Sequence, residues 1–320
     1  MSIKFGVVMD PIESINPKKD STLAMLLAAQ KRGWQLYYFT QTDLYKRGSE
    51  VRGVATTIKV QDDPANWFTF GEQCDLPLAE LDVIFMRADP PVDARYIYTT
   101  MLLESAEREG SLVVNRPAAL RDCNEKLFAT EFAECCPPLL VSSDAVQLRE
   151  FHKVQGDVIL KPLDGMGGAS IFRLPANDPN VNVVIEILTE HGSQLTMAQR
   201  FLPEIRDGDK RVLLIDGRPV EHMLARLPSG GETRGNLAAG GRGVARPLGK
   251  REREIAEAVA PSLVQRGIVF AGIDIIGDYL TEINVTSPTC IRELDAQCGL
   301  DIGGELMDAV QARLRANKAN

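Results

Sequence analysis

Hydrophobic positions along the first third of the chain alternate between two periods. Ile3 to Met9 is almost uniformly apolar, Ser21 to Lys31 repeats Leu, Met and Ala at helical spacing, and Trp34 to Phe39 returns to a strand pattern. A second cycle runs through Asp82 to Met86, Tyr96 to Arg108 and Ser111 to Asn115. Strand and helix in turn predict a small parallel α/β domain, because a parallel pair needs a crossover long enough to hold a helix. The strands end in polar, proline-marked turns, Met9-Asp10-Pro11 and Met86-Arg87-Ala88-Asp89-Pro90-Pro91. Ligands of open α/β sheets bind beyond the carboxyl ends of the strands. Asp10 and Arg87 are therefore candidates for substrate contact, with plain turn geometry as the alternative.

Near residue 120 the pattern changes. Asp122-Cys123-Asn124-Glu125 reads as a capping box for a helix from Lys126 to Cys135, which Pro137-Pro138 stops. A second small α/β unit follows, with a hairpin around Lys161, a helix from about Val183 to Glu190 and a strand from Met197 to Leu202. Pro203 ends that strand, which makes residues 199 to 203 a candidate hinge. Two strands come next, Arg211 to Ile215 and Val220 to Leu227, joined by Asp216-Gly217. The segment from Gly230 to Gly243 then holds six glycines in fourteen residues, with charges at Glu232, Arg234 and Arg242. Such a run inside a compact domain predicts a mobile lid over 229–243. The boundaries that result are a substrate domain over 1–122, a lid subdomain over 123–202 and a C-terminal subdomain over 203–320.

Two hairpins carry the chemistry. "KPLDGMGGAS" at 161–170 lies between the apolar run Asp157 to Leu160 and the extended Ile171-Phe172-Arg173. It is a glycine-rich turn between strands, so Gly165, Gly167 and Gly168 bring backbone close to a phosphate beside Lys161 without the helix that Walker or dinucleotide loops use. The second hairpin spans 269–285. A two-residue turn at Gly277-Asp278 would turn Asp274 away from Glu282 and Asn284. A three-residue turn over 277–279 pairs Ile276 with Leu280, sets Asp274 opposite Glu282 and gathers Ile273, Ile275, Ile283 and Val285 on the other face. The longer turn is the expectation. Asp274, Glu282 and Asn284 then form an oxygen-only cluster suited to Mg²⁺ with substrate phosphates completing the shell, against a solvated polar face.

Composition narrows the class. With 44% hydrophobic and 25% charged residues the chain is an ordinary globular protein, and its 320 residues suit about two domains. Forty-four acidic against 36 basic residues leave a net charge of -8, which disfavours broad attraction to nucleic acid or to an anionic membrane. The apolar start is too short for a signal peptide and no stretch approaches the ~20 residues of a membrane span, so a cytoplasmic location is expected. Six cysteines without a C-x-x-C pair predict reduced thiols. His152, His191 and His222 match no metal or triad motif. An acidic substrate would need local cations in so acidic a protein, and Arg211 and Arg226, on the strands before the glycine loop, are placed to converge on one. Structural ion pairing is their alternative role.

The stretches "RDCNEKLF", "ILKPLDGMGGASIFR", "DGDKRVL", "GGETRGNLAAGGRG" and "GIDIIGDYLTEINVTSPTCIRE" are long and specific, and across the whole chain the sequence resembles the bacterial glutathione synthetases of the ATP-grasp superfamily. The resemblance implies a two-subdomain ATP-grasp fold behind the N-terminal α/β domain, usually in a homotetramer. It implies a ligase that joins γ-glutamylcysteine and glycine through an acyl phosphate, cleaving ATP to ADP and phosphate with Mg²⁺, or with Mn²⁺ as an alternative. By the same resemblance Lys126 and Lys161 contact ATP phosphates, Gln199 and the Leu202 backbone meet adenine, and Asp209 meets ribose. Arg211, Arg226, Arg234 and Asn284 face the acyl phosphate and substrates, and Arg292 is a looser candidate for a substrate carboxylate. The chain departs from the family pattern at Cys136-Pro137-Pro138-Leu139, where Thr-Pro-x-Thr is usual, and at Arg200 and His222. A ligase for another acid and amine, or a nucleotide-binding regulator without turnover, are the competing readings.

Overall fold

The structure, a computed structural model, describes residues 2–165, 168–229, 235 and 240–319. The first of its three sheets comprises β1 (Lys4–Val8), β2 (Gln35–Phe39), β3 (Leu44–Arg47), β4 (Glu50–Val60), β5 (Phe68–Pro77), β6 (Val83–Met86) and β7 (Leu112–Val114). Their order is β3-β4-β2-β1-β6-β7, with β5 paired to β4. Strands β2, β1, β6 and β7 are parallel, as the alternating pattern predicts. Central β1 and β6 are apolar without alternation because helices cover both faces of the sheet. Helix α1 (Ser21–Lys31) starts where the Asp20 carboxylate accepts the Leu23 amide at 2.6 Å, and α2 (Ala94–Arg108) starts at the matching cap, Asp93 to Tyr96, at 2.9 Å.

Helix α3 (Pro117–Asp122) leads into the second sheet, formed by β8 (Leu139–Ser142), β9 (Val158–Pro162), β10 (Phe172–Leu174) and β11 (Thr196–Arg200) in the antiparallel order β10-β9-β11-β8. With α4 (Ala145–Gln155) and α5 (Val181–Leu188) it encloses a small core of its own around Leu148, Val158, Leu160 and Ile185. The third sheet is antiparallel β14-β13-β12-β15-β16, from β12 (Asp209–Ile215), β13 (Arg218–Leu227), β14 (Arg242–Pro247), β15 (Phe270–Ile276) and β16 (Tyr279–Asn284). Helices α6 (Lys250–Arg266), α7 (Ile291–Cys298) and α8 (Ile302–Ala319) complete the described elements. The first and third sheets share both of their cores: Val8 and Ile84 cluster with Val212 and Ile273, and Phe5 and Val7 with Leu213 and Phe270.

Several expectations change. The hairpin turn at Gly277-Asp278 has two residues, since Ile276 pairs with Tyr279. A bulge between Asp274 and Ile275 then shifts the register, so that Asp274 lies opposite Glu282 all the same. One extra residue on the partner strand does what the longer turn was expected to do. The helix expected over Lys126–Cys135 is a 3₁₀ segment over Phe128–Cys135, broken at Phe132 (φ -107°, ψ 54°), and in place of a capping box the Asn124 side chain accepts the amides of Lys126 and Leu127 at 3.0 Å. Arg242 and Gly243, expected in the glycine loop, belong to β14, where they pair with Leu227 and Arg226. Glu232 and Arg234 lie outside the described residues. Strands β3, β4 and β5 were not expected; β5 is mostly exposed, so its residues lack the apolar alternation that reveals a half-buried strand.

One buried side chain fixes the junction of the first and third sheets. Asn115, at the end of β7, donates to the carbonyls of Phe270 and Val285 at 2.7 Å each and accepts the amides of Val269 and Phe270 at 2.8 and 2.9 Å. All four hydrogen-bonding positions of its amide are thereby used. Asn115→Ala would strand four buried backbone groups, and stranded groups cost about 1–3 kcal/mol each. Urea unfolding should show a loss of at least about 3 kcal/mol; a loss below about 1 kcal/mol would mean that other contacts hold the junction.

Candidate active site

A cleft of about 450 Å³ opens where the second and third sheets meet the carboxyl ends of the first. At one end, β9 carries Lys161 as its penultimate residue and the glycine turn follows. Gly165 and Gly168 take φ of 96° and 82°, a region that penalises any Cβ; Gly167 lies outside the described residues. Lys126 arrives from the other wall, its ammonium resting on the carbonyls of Leu163 and Gly165 at 3.5 and 3.3 Å. Both lysines are buried and both face Glu282, at 4.0 Å from Lys126 and 3.7 Å from Lys161. Burial pushes the Lys161 ammonium below its ordinary value although Glu282 opposes the shift. At Lys126 burial acts in the same sense, but Glu282 and Glu125, the latter at 2.6 Å, outweigh it and raise the ammonium. The two desolvated ammoniums are balanced by Glu282 and Glu125, and both remain at the cleft as donors for an anion.

Beyond Lys161, Gln199, Phe201 and Leu202 line the cleft together with Ile159, Ile205 and Ile276. This apolar recess with a buried amide beside it has the size and chemistry for a planar heterocycle. Arg200, the family departure, lies over the Tyr279 ring at 5.3 Å, and His222, another, lies outside the cleft lining.

The floor is a buried chain of charge. Arg211 binds Asp274 through two bonds, Nε to Oδ1 at 2.5 Å and Nη2 to Oδ2 at 2.8 Å. Arg226 reaches Asp274 at 3.0 Å and Asp209 at 2.5 Å. The two arginines converge as the strand order implied, and they do so as ion-pair partners of buried carboxylates. Burial would raise Asp274, but the Arg211 and Arg226 guanidiniums hold it well below the usual carboxylate range. Asp209 has one guanidinium and the nearby negative charges of Asp274 and Glu282, so burial prevails and pushes it up to about 6. Its Oδ1 is buried without a hydrogen-bond partner.

The donor set for a cation divides in two. Glu282 and Asn284 line the cleft with oxygen donors, which suit a hard divalent ion. Asp274 is outside the lining, and both of its oxygens are taken by guanidiniums; it also accepts the Asn284 amide at 3.2 Å, which leaves the Asn284 carbonyl free for the cleft. Among the described residues no group of three His, Cys, Asp or Glu side chains is close enough to hold a metal alone.

The remaining expectations fall at the edges. The Asp10 carboxylate accepts the Asp89 amide at 2.8 Å, a turn contact. Arg87 is buried outside the cleft lining, donating to Thr22 and to the Pro288 carbonyl at 3.1 Å each, so it supports the 286–290 loop that forms one wall. Arg292 is also outside the lining and pairs with Asp62 at 2.5 Å. Sequence reasoning missed Lys19, Asp89, Glu125 and Glu293, all of which line the cleft. No local motif marks them, although Asp89 stands in the proline turn already singled out.

The family comparisons cover nearly all of the chain. Residues 3–121 match the model for the N-terminal domain of prokaryotic glutathione synthetase, and residues 125–299 match its ATP-grasp domain. The glutathione synthetase of Pseudomonas aeruginosa is 61% identical over 316 residues, 99% of this chain and 100% of the relative, and that of Escherichia coli strain K12 is 56% identical over 313 residues, 98% and 99%. Among solved structures, D-cycloserine synthetase DcsG aligns with a TM-score of 0.68 at 14% identity, over 97% of this chain and 99% of its own. The ATP-grasp ligase PsnB, complexed with minimal precursor, Mg and ADP, aligns with a TM-score of 0.62 at 20% identity, over 97% and 98%. These two likenesses establish the ATP-grasp fold.

Because the buried arginines and carboxylates compensate one another, removing one of them leaves an uncompensated buried charge. Arg211→Met leaves Asp274 buried with Arg226 as its remaining cation, and breaking such a pair costs about 3–5 kcal/mol. Thermal or urea unfolding of that variant should register the loss, and Arg211→Lys, which keeps the charge without the fork, should recover part of it. An unchanged unfolding midpoint for Arg211→Met would show that the network contributes nothing to stability.

Proposed function

The chain belongs to the prokaryotic glutathione synthetase family and is an ATP-dependent ligase that makes glutathione from γ-glutamylcysteine and glycine, and from that premise we propose how its residues divide the reaction. The observation that carries the assignment is the pair of buried lysines facing one carboxylate beside an apolar recess. ATP lies with its phosphates between Lys126, Lys161 and the turn containing Gly165, Gly167 and Gly168, its base against Gln199 and the Leu202 backbone, and its ribose near Asp209. The unpartnered Asp209 oxygen is an acceptor available to a sugar hydroxyl. Glu282 and Asn284 would hold Mg²⁺, or Mn²⁺ on the same oxygen donors, and the ion would supply charge neutralisation at the phosphates. Asp274 positions this pair, through its bond to Asn284 and its grip on Arg211.

The cysteinyl carboxylate is too poor an electrophile for an amine. One of its oxygens attacks the terminal phosphorus of ATP, the bond to ADP breaks, and an acyl phosphate results. The uncharged amine of glycine then attacks the acyl carbon, phosphate departs with the bonding electrons, and the amine loses a proton. Arg211 and Arg226 hold anionic oxygens where charge develops, and each is oriented by its carboxylate before substrate arrives. Arg234, from the glycine-rich segment before β14, is assigned to the same oxygens. Arg87 fixes the Pro288 wall, and Arg292 lies close to a substrate carboxylate once its exposed partner Asp62 is displaced. In this reading the domains are 1–122, 123–202 and 203–320; the separate core of the second sheet supports the middle one, and the other two are divided by the sheet each carries although their cores are shared. A homotetramer is part of this reading, supported by the exposure of Tyr98 and Met101 on α2, and sedimentation would give its mass directly.

Incubation with ATP, Mg²⁺, γ-glutamylcysteine and glycine should yield glutathione, ADP and phosphate in equal amounts. A ligase for another pair would make no glutathione, and a regulator would leave ATP intact. Glu282→Gln keeps the shape and removes the charge; ligation should fall by about a hundredfold or more with the circular dichroism spectrum preserved. Turnover like that of the parent at low Mg²⁺ would sink the metal role of Glu282.

A further inference from the structure

Phe201 lines the apolar recess, and it is held from outside the cleft by two residues that are not part of the lining, Asp157 and Arg173. The Arg173 guanidinium lies over the Phe201 ring, 3.8 Å from its centroid. At that stacking distance the cation covers one face of the ring, and the ring meets the recess with the part left uncovered. Arg173 is itself gripped: its Nε donates to both Asp157 carboxylate oxygens at 3.1 and 3.3 Å, and its Nη2 donates to Oδ2 at 2.6 Å. The Asp157 carbonyl in turn accepts the Phe201 amide at 2.9 Å. Asp157 therefore fixes the Phe201 backbone directly and the Phe201 ring through Arg173.

The three residues come from three places, just before β9, on β10 and just after β11, and β9 pairs with both of the other strands. They meet at the end of the second sheet from which the chain leaves for the third. Arg200, the residue before Phe201, reaches the other way, over Tyr279 of the third sheet. The Arg173 and Asp157 side chains are 39% and 36% exposed, and an ion pair so open to water adds little to stability. What a two-pronged guanidinium grip does supply is a fixed orientation. We propose that Arg173, oriented by Asp157, is a positioning residue for ATP: it holds the Phe201 ring as a preformed wall for the base, although neither Asp157 nor Arg173 touches the nucleotide. This rests on the placing of the base in the recess given above. Without the guanidinium the ring is free to turn, and ordering it again on binding weakens the hold on ATP while leaving the phosphates where they react.

Arg173→Met keeps an unbranched side chain and removes the cation and its fork. KM for ATP should rise about two- to tenfold, the range of a cation over a ring, with kcat and the KM for glycine within about twofold of the parent. Asp157→Asn leaves the ring and the backbone bond in place and should raise KM for ATP in the same way. In a Phe201→Leu background there is no ring to hold, so Arg173→Met should then change KM for ATP by less than about twofold. A tie that merely joins β9 to β10 behaves otherwise, lowering the unfolding temperature with KM for ATP unchanged, or raising it equally with and without the ring. Either result overturns the proposal, as does a parental KM for ATP in Asp157→Asn, which needs no change at Phe201. Failure of the base placement looks different: Phe201→Leu alone would then leave KM for ATP at the parent value while glutathione is still made.

Discussion

The site depends on a buried chain of alternating charge, Arg211 to Asp274 to Arg226 to Asp209, running across β12, β13 and β15. Two guanidiniums and two carboxylates cancel as a group, which is what makes their joint burial tolerable when any one of them alone would not be. The cancellation is uneven along the chain. Asp274 sits between both arginines and stays ionised, whereas Asp209 touches one arginine and is pushed up to about 6. The network therefore fixes the floor of the cleft and leaves one acceptor oxygen unspent.

Around that floor the strand pairing and the 3₁₀ segment decide where the lysine charges go. The antiparallel pairing of β9 with β11 sets Lys161 opposite Met197, in a strand that is apolar up to that point, so the lysine's charge has nowhere to go except into the cleft. Lys126 is placed by Asn124, which ties the 3₁₀ segment to the glycine hairpin by donating to the Leu163 carbonyl at 3.0 Å. Glu282 is the common counter-charge of the two lysines. A phosphate group entering between them would meet two donors and a carboxylate, a balance that a bound divalent cation tips toward attraction.

The first sheet contributes rigidity to the cleft. Its apolar strands share their cores with the third sheet, Asn115 locks the junction, and Arg87 carries the Pro288 loop. The second sheet has a core of its own and is joined to the others across the cleft. Binding at that boundary lets ligand contacts on both sides contribute to holding the second sheet against the rest, which is how a separately packed subdomain couples to substrate.

Much of this was legible in the chain itself. Period-two and period-3.6 patterns located β1, α1, β2, β6, α2 and β7, because the burial of their faces is encoded in which residues are apolar. The polar set Asp274, Glu282 and Asn284 stood out against isoleucine and valine, and the lysine before the glycine turn is a local signal of the same kind. Three matters were settled only by the tertiary structure. The bulge that restores Asp274 to Glu282 across a two-residue turn depends on how β15 pairs with two neighbours at once, and turn length alone does not specify it. Arg211 and Arg226 read as free cations or as ion-pair partners with equal ease in one dimension; the register Arg211 to Asp274 and Asp209 to Arg226 pairs them with buried carboxylates while both stay in the cleft lining. Lys19, Asp89 and Glu293 come from segments far apart in the sequence, so no spacing could join them. Sequence patterns determine which side chains must be hidden, and only the packed chain determines which charges are hidden together.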